Sequence, residues 1–402
     1  MKIVVNTSTF KENDRQKITS VINELVDSIR RNDDSIDFTI LKPMGTNGEK
    51  SLNKDNIKIV CYRYFWFNRY QNFGDVGIKP SLQKNYLNIF KLLFLFISQY
   101  FSLVKLVKNK KPDLIYAHWF FPQAIISSFV AKRYKIKFAF TSHGSDVQVL
   151  NTLGPLGKSI IRKVTKKAYK YTAVSELTMR EINKNFSNEE LKTHNYRIIP
   201  MGIDEKYFNI KRSNTLNSND NLLKMVYVGR LIDYKGVDLL IKSLSLFKLR
   251  EKKFKLDIFG NGILEPSLKQ MVKNLDLENN ITFHGFKSFD EKLSFIKHAD
   301  LFVVPSIYKK TQLEGGPLTL IEAMASRTPC LVSDSIGFIT HCNDNNSIIF
   351  RSGDIEDLEL KLNQFTEMDI ENVNKMKDEG FRTASYFKFL NIGKLHSEFL
   401  FR

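Results

Sequence analysis

The chain has 402 residues with an ordinary soluble composition, and that length is long for one hydrophobic core, so two domains are expected. Its three cysteines, Cys61, Cys330 and Cys342, form no C-x-x-C pair, which excludes a zinc ribbon or disulfide framework and fits a reducing cytosol. The net charge is +18, of which residues 1–207 carry +16 (34 Lys and Arg against 18 Asp and Glu), so the first half points to an anionic partner unless the lysines reflect coding bias alone.

The chain opens on Met1-Lys2-Ile3-Val4-Val5-Asn6, too short an apolar run for a signal peptide and readable as a strand over Lys2–Val5. Ser8 and Thr9 follow it with two hydroxyls. The most apolar stretch, Leu92–Phe101, lies between Lys91 and Lys105, which leave only 13 residues between them. That is short of the roughly 18–20 needed to span a bilayer, so it reads as a buried or interfacial helix. Tyr100–Lys111 alternates Leu103, Val104, Leu106 and Val107 with Lys105, Lys108, Lys110 and Lys111. That pattern suits a helix resting on an anionic membrane, or a packed helix with a solvated end.

Three further strands are expected in this half: Leu114–Ala117, Phe138–Thr141 and Tyr171–Val174. Each runs into polar residues. The first leads to His118 and Trp119, which either line a cleft or pack. The second leads to His143-Gly144-Ser145-Asp146. The third leads to Ser175-Glu176. A boundary is expected near residues 200–211, followed by a polar surface loop over Ser213–Asn221.

The second half repeats the alternation of buried strands and helices, which indicates parallel sheets covered on both faces. Ligands of such sheets bind beyond the strands' carboxyl ends. Lys224–Val228 ends in Gly229-Arg230, with Lys235-Gly236 and a helix over Val237–Leu246 behind it. Arg by a fork of donors and Lys by point charge suit a diphosphate. Lys255–Phe259 ends in Gly260-Asn261-Gly262, and Ile281–Phe283 in His284-Gly285. Leu301–Val304 leads to Glu314-Gly315-Gly316-Pro317-Leu318-Thr319-Leu320-Ile321-Glu322, before a last strand at Pro329–Ser333. Two glycines let a ligand approach the backbone, and a helix opening there offers free N–H groups to phosphate. Carboxylates at this spacing also occur on solvated helices. Flanking an anion-binding helix end, they suit a molecule with both phosphates and hydroxyls, such as a nucleotide sugar. The stretch 384–399 reads as a closing helix.

The run E-G-G-P-L-T-L-I-E-A-M-A, with V-G-R-L-x-x-x-K-G-V-D-L-L-I and H-G-S-D, resembles the retaining glycosyltransferases of family 4. The likeness covers nearly the whole chain and is strongest over 224–335. It implies a GT-B fold: two Rossmann-like doubly wound domains facing a cleft, residues 1–207 for acceptor and 208–383 for donor. A C-terminal helix, 384–402, would return to the first domain. By this resemblance Glu322 binds ribose hydroxyls, and Glu314 with the amides of Gly315 and Gly316 holds the donor sugar. Leu318 and Thr319 amides and the Arg230/Lys235 pair meet the phosphates. Gly229, Gly260, Gly262 and His284 border the nucleotide, and His143 reaches the reacting sugar. Ser8, Thr9, His118, Trp119, Asp146 and Ser175 fall on the acceptor side.

Two departures stand out. Met201 replaces the asparagine of the family's N-G-V-D segment, and Asn6–Lys11 replaces its Gly-Gly loop. Without a D-x-D motif, no metal or cofactor is implied. The expected partners are a nucleotide sugar, a saccharide or lipid-linked saccharide, and an anionic membrane surface, with no nucleic acid. The expected place is the cytoplasm, at the inner face of the cell membrane, in assembly of a surface polysaccharide. The alternatives are a GT-B relative such as a nucleotide-sugar epimerase, or an inert membrane- or nucleic-acid-binding protein.

Overall fold

Apolar runs of four to seven residues become strands because helices cover both of their faces. The structure, a computed structural model, describes residues 1–11, 21–54, 57–76, 78, 81, 88–209, 222–309, 312 and 314–401. The chain forms two units: Met1–Gly202 together with Phe389–Arg402, and Ile203–Lys388.

The first unit contains β1 (Lys2–Asn6), β2 (Asp37–Pro43), β3 (Ser51–Lys54), β4 (Ile57–Tyr62), β5 (Leu114–His118), β6 (Lys137–Ser142), β7 (Lys170–Ala173) and β8 (Tyr196–Ile198). They lie in the order β3-β4-β2-β1-β5-β6-β7-β8. Only the edge pair β3–β4 is antiparallel. Val4, Ile115, Phe138, Phe140 and Tyr171 share one core with helix residues such as Leu95 and Leu103.

The second unit contains β9 (Leu222–Val228), β10 (Lys253–Phe259), β11 (Ile281–Gly285), β12 (Leu301–Val304), β13 (Cys330–Ser333) and β14 (Ile348–Phe350), all parallel, in the order β11-β10-β9-β12-β13-β14. Alternate residues divide between two cores. Met225, Tyr227, Leu301 and Val303 enter one, and Val226, Phe302 and Val304 enter the other. A strand buried on both sides has no polar face, which is why these runs read as continuously apolar.

The sequence reading and the structure differ in three places. The helix bearing Leu92–Phe101 runs over Ile89–Lys110, 22 residues, long and apolar enough to cross a membrane. It instead packs on the first sheet through Leu95, Gln99, Leu103, Leu106 and Val107. The residues expected to rest Tyr100–Lys111 on a membrane therefore face inward: Leu103 and Val107 are buried, and the lysines form a solvated end. The closing helix is also broken. One helix ends at Ser385 and the next begins at Phe389. Between them Phe387 is buried and its carbonyl accepts from Ile203 N at 2.9 Å, which holds the segment extended beside Ile203. The units thus part at 202/203 and 388/389, where the sequence suggested 207/208 and 383/384. The polar run 213–221 lies outside the described residues.

Residues 389–402 complete the first unit. Helix Phe389–His396 lies on helix Val21–Asn32. Ser28 Oγ donates to the Phe389 carbonyl and Asn32 Nδ2 to that of Leu390 at 3.1 Å. The Phe401 ring sits 5.8 Å from Tyr116 and 6.3 Å from Phe38.

Candidate functional site

In a doubly wound sheet a ligand crevice opens where the strand order reverses, because the loops on either side leave in opposite directions. In the second unit that point is the β9/β12 pair. β9 runs into Gly229 and Arg230. β12 runs into Pro305 and Ser306, and Glu314 follows. After β9 the chain makes a short turn, Asp233–Lys235, ended by Gly236 at φ 68°. A Cβ at Gly236 would fall 1.9 Å from the Pro305 carbonyl oxygen, so glycine is what lets the two loops touch.

The contact brings Lys235 and Glu314 into an ion pair, with side chains only 14% and 9% exposed. Ser306 Oγ donates to the same Glu314 oxygen at 3.2 Å. Arg230 is exposed and donates to the Tyr234 hydroxyl at 2.8 Å. The Tyr227 hydroxyl donates to the Arg230 carbonyl at 3.0 Å. Burial, then the nearby Glu314 carboxylate, pushes the Tyr227 hydroxyl up, so it stays a donor. Glu314 and Lys235 are therefore partners within the protein itself. Neither tyrosine was singled out from the sequence, although both lie within four residues of Arg230.

Glu322 sits in helix Leu318–Ala325, which starts at Pro317 without a side-chain cap, leaving the first amides, Leu318 and Thr319 among them, suited to an anion. Lys292 Nζ meets Glu322 Oε2 at 2.8 Å and lies 5.4 Å from the Tyr207 ring. Burial, then Glu322, raises the Tyr207 hydroxyl. Lys292 belongs to no motif. It comes from helix Phe289–His298, and only the fold brings it to Glu322.

Gly229, Gly260 and Gly262 let neighbouring strand-end loops stack. Gly260 has φ 129°, and a Cβ there would fall 1.9 Å from the Gly229 carbonyl oxygen. Gly229 N donates to Phe259 O at 2.9 Å, and Gly260 N to Gly285 O at 2.8 Å. Gly315 is buried and Gly316 half-buried against Phe338. His284 is already committed within the unit. Its Nε2 meets Asp257 Oδ1 at 2.6 Å, and its ring stacks on Phe259 at 4.5 Å.

In the first unit the order reverses between β1 and β5. Beyond β1, Ser8 is mostly buried and Thr9 half-buried, and the Thr7 hydroxyl donates to Thr9 O at 3.0 Å. Beyond β5 and β6 stand His118, Trp119 and His143. His118 Nδ1 lies 3.2 Å from His143 Nε2, and Trp119 stacks on His143 at 4.6 Å. His118 is fully buried, a support beneath His143 and not a cleft wall. Burial, partly offset by Asp146, holds His143 down at about 4, so the ring is neutral at neutral pH. His396, from the C-terminal helix, is likewise held at about 4, and its Nδ1–H donates to Ile392 O at 3.0 Å.

Asp146 and Ser175, set on the acceptor side by the resemblance, are also bound up in local structure. Asp146 Oδ2 accepts from Phe120 N, and its Oδ1 from Ser142 Oγ and Val147 N, each at 3.0 Å. Ser175 caps helix Glu176–Asn183, its Oγ accepting from Thr178 N at 3.2 Å. Among the described residues no cluster of three His, Cys, Asp or Glu is placed to hold a metal ion.

Two family models match adjoining stretches: "Glycosyltransferase Family 4" over residues 52–207 and "Glycosyl transferases group 1" over 208–383. The chain is 25% identical over 284 residues to an uncharacterized glycosyltransferase of Methanocaldococcus jannaschii, covering 71% of this chain and 72% of that protein. It is 33% identical over 138 residues to the amylovoran biosynthesis glycosyltransferase AmsK of Erwinia amylovora, covering 34% of this chain and 33% of AmsK. Among solved structures it is similar to Anabaena HepE in complex with UDP, with a TM-score of 0.69, 16% identity and 99% of both chains covered.

Proposed function

Given that the chain belongs to the family 4 glycosyltransferases of GT-B fold, with relatives in polysaccharide biosynthesis, we propose that it moves a sugar from a nucleotide-sugar donor to a saccharide acceptor, retaining anomeric configuration. The observation that carries this reading is the cluster of Arg230, Lys235 and Glu314 at the β9/β12 reversal. It sets two cations and a carboxylate beside a helix start, matching a diphosphate next to a hydroxyl-rich sugar. HepE, of the same fold, is described in complex with UDP.

The second unit takes the donor. Arg230 and Lys235 neutralise the charge that grows on the leaving diphosphate, assisted by amides at the start of helix Leu318–Ala325. These groups supply the stabilisation without a metal ion. Glu314 accepts from sugar hydroxyls while fixing Lys235, and Glu322 accepts from the ribose. The bond from the anomeric carbon to the diphosphate oxygen breaks as the acceptor oxygen attacks from the same face. The departing phosphate oxygen takes the acceptor proton. His143, neutral, is assigned to hydrogen-bond the reacting sugar. No resident cofactor enters the scheme.

The acceptor is assigned as a lipid-linked saccharide, with the enzyme in the cytoplasm at the inner face of the membrane. The +16 charge of residues 1–207 supports that assignment. A panel of nucleotide sugars tests the whole reading by release of nucleoside diphosphate, with mass analysis of lipid-extracted products. Release from one donor, abolished in Arg230→Ala, is expected. Release that survives Arg230→Ala overturns the site.

A further inference from the structure

We propose that the first unit inserts an apolar face into an anionic lipid bilayer, formed by the first three turns of helix Ile89–Lys110 and the aromatic loop 65–70. The proposal rests on the lipid-linked acceptor reading and gives it a surface. The helix carries two apolar stripes. One, with Leu95, Leu103 and Leu106, is buried on the sheet. The other is Phe90, Leu93, Phe94, Ile97 and Phe101, with Phe90 at 72% and Leu93 and Phe101 both at 64% exposure. Their spacing of three and four residues puts them on one line, about 16 Å long. The solvent face of a surface helix is ordinarily polar.

The loop extends this face sideways. Trp66 is 65% exposed, and its ring lies 5.1 Å from Phe94. Phe65 also meets Phe94, at 6.1 Å. Cations frame the patch. Lys91 Nζ donates to Tyr70 O at 3.1 Å, and the Arg69 guanidinium lies 4.9 Å from the Tyr70 ring centre. The exposed line itself continues into Lys105 and Lys108, both exposed. No Asp or Glu occurs between Asp75 and Asp113.

A bilayer fits this better than a protein partner. The apolar stripe ends in lysines without a single acid, which suits acyl chains beside anionic headgroups. Exposed Trp and Tyr rings suit the same boundary. The helix cannot cross the membrane, because its other stripe is packed on the sheet. It lies in the plane of the interface.

The test is co-sedimentation of the full chain with vesicles of phosphatidylcholine alone or mixed with phosphatidylglycerol. The parent is expected to bind the mixed vesicles. Leu93→Ser/Phe94→Ser/Ile97→Ser should weaken that partitioning roughly 100-fold, with thermal stability and lipid-free nucleoside diphosphate release unchanged. In a Trp119→Phe background, Trp66 is the remaining tryptophan and should be quenched by brominated lipid. A triple variant that binds as the parent does overturns this face while leaving membrane attachment standing. A parent that binds neither vesicle overturns both. Dimerisation lost in the triple variant, without lipid binding, gives the face to a second copy of the chain and also overturns the proposal.

Discussion

Replacing Lys235 by methionine leaves Glu314 a carboxylate with 9% of its side chain exposed and its cation gone. Among the described residues, the Ser306 hydroxyl at 3.2 Å is then its remaining side-chain donor. Breaking a buried ion pair from one side costs about 3–5 kcal/mol, because the survivor stays desolvated. In a domain the size of the second unit each kcal/mol lowers Tm by about 2–4 °C, so the drop should be roughly 6–20 °C. Glu314→Gln should cost less. Glutamine still accepts from Ser306, and the lysine can bend its ammonium towards water. The double variant Lys235→Met/Glu314→Gln removes both charges and should recover most of the loss. Differential scanning calorimetry on the four proteins, with donor turnover in parallel, separates stability from chemistry: the double variant should be stable yet inactive. A Lys235→Met transition within about 2 °C of the parent, or a double variant no more stable than the single, would refute the pairing argument.

Arg230→Ala should cut turnover about 100- to 1000-fold with Tm unchanged, since the side chain is exposed; a loss below tenfold in kcat counts against its role. Lys292→Met should weaken free nucleoside diphosphate by calorimetric titration as Glu322→Gln does, because Lys292 orients that carboxylate; unchanged affinity removes it from the site. Ser175→Ala should destabilise by about 1 kcal/mol with kcat intact, as expected of a cap; a kcat effect at full stability would give it a role in the site instead. Acid should also weaken the first unit. His143 and His396 titrate at about 4 when folded, against an ordinary 6.5, so the unfolded chain binds more protons between those values. Their contribution is full above pH 6.5 and is lost as pH falls to 4, at about 1.4 kcal/mol per pH unit for each histidine. Urea titrations across that window should show the slope, and His396→Phe should flatten it by one proton; an unaltered slope rejects the burial argument.

Read alone, the sequence determined the local grammar. All nine strands expected from apolar runs are present, because a run buried on both faces is continuous in sequence. Loops beyond those strands were legible because each apolar run gives way there to polar residues, often glycine, histidine or charge. β2 and β4 escaped notice because Lys42 and Lys58 break their pattern. Lys42 is nonetheless fully buried, its ammonium donating to Phe10 O at 2.9 Å, a partner no neighbouring residue reveals. Tertiary structure alone decided the pairings. Lys235 and Glu314 are 79 residues apart, and Lys292 and Glu322 are 30. Whether each charge meets solvent, a ligand or another charge depends on which strands become neighbours. The same holds for helix Ile89–Lys110. Its first turns are largely apolar on both sides, and periodicity there does not choose between the two stripes. Only the sheet beneath it settled that Leu95 and Leu103 turn inward while Phe90 and Leu93 are left outside.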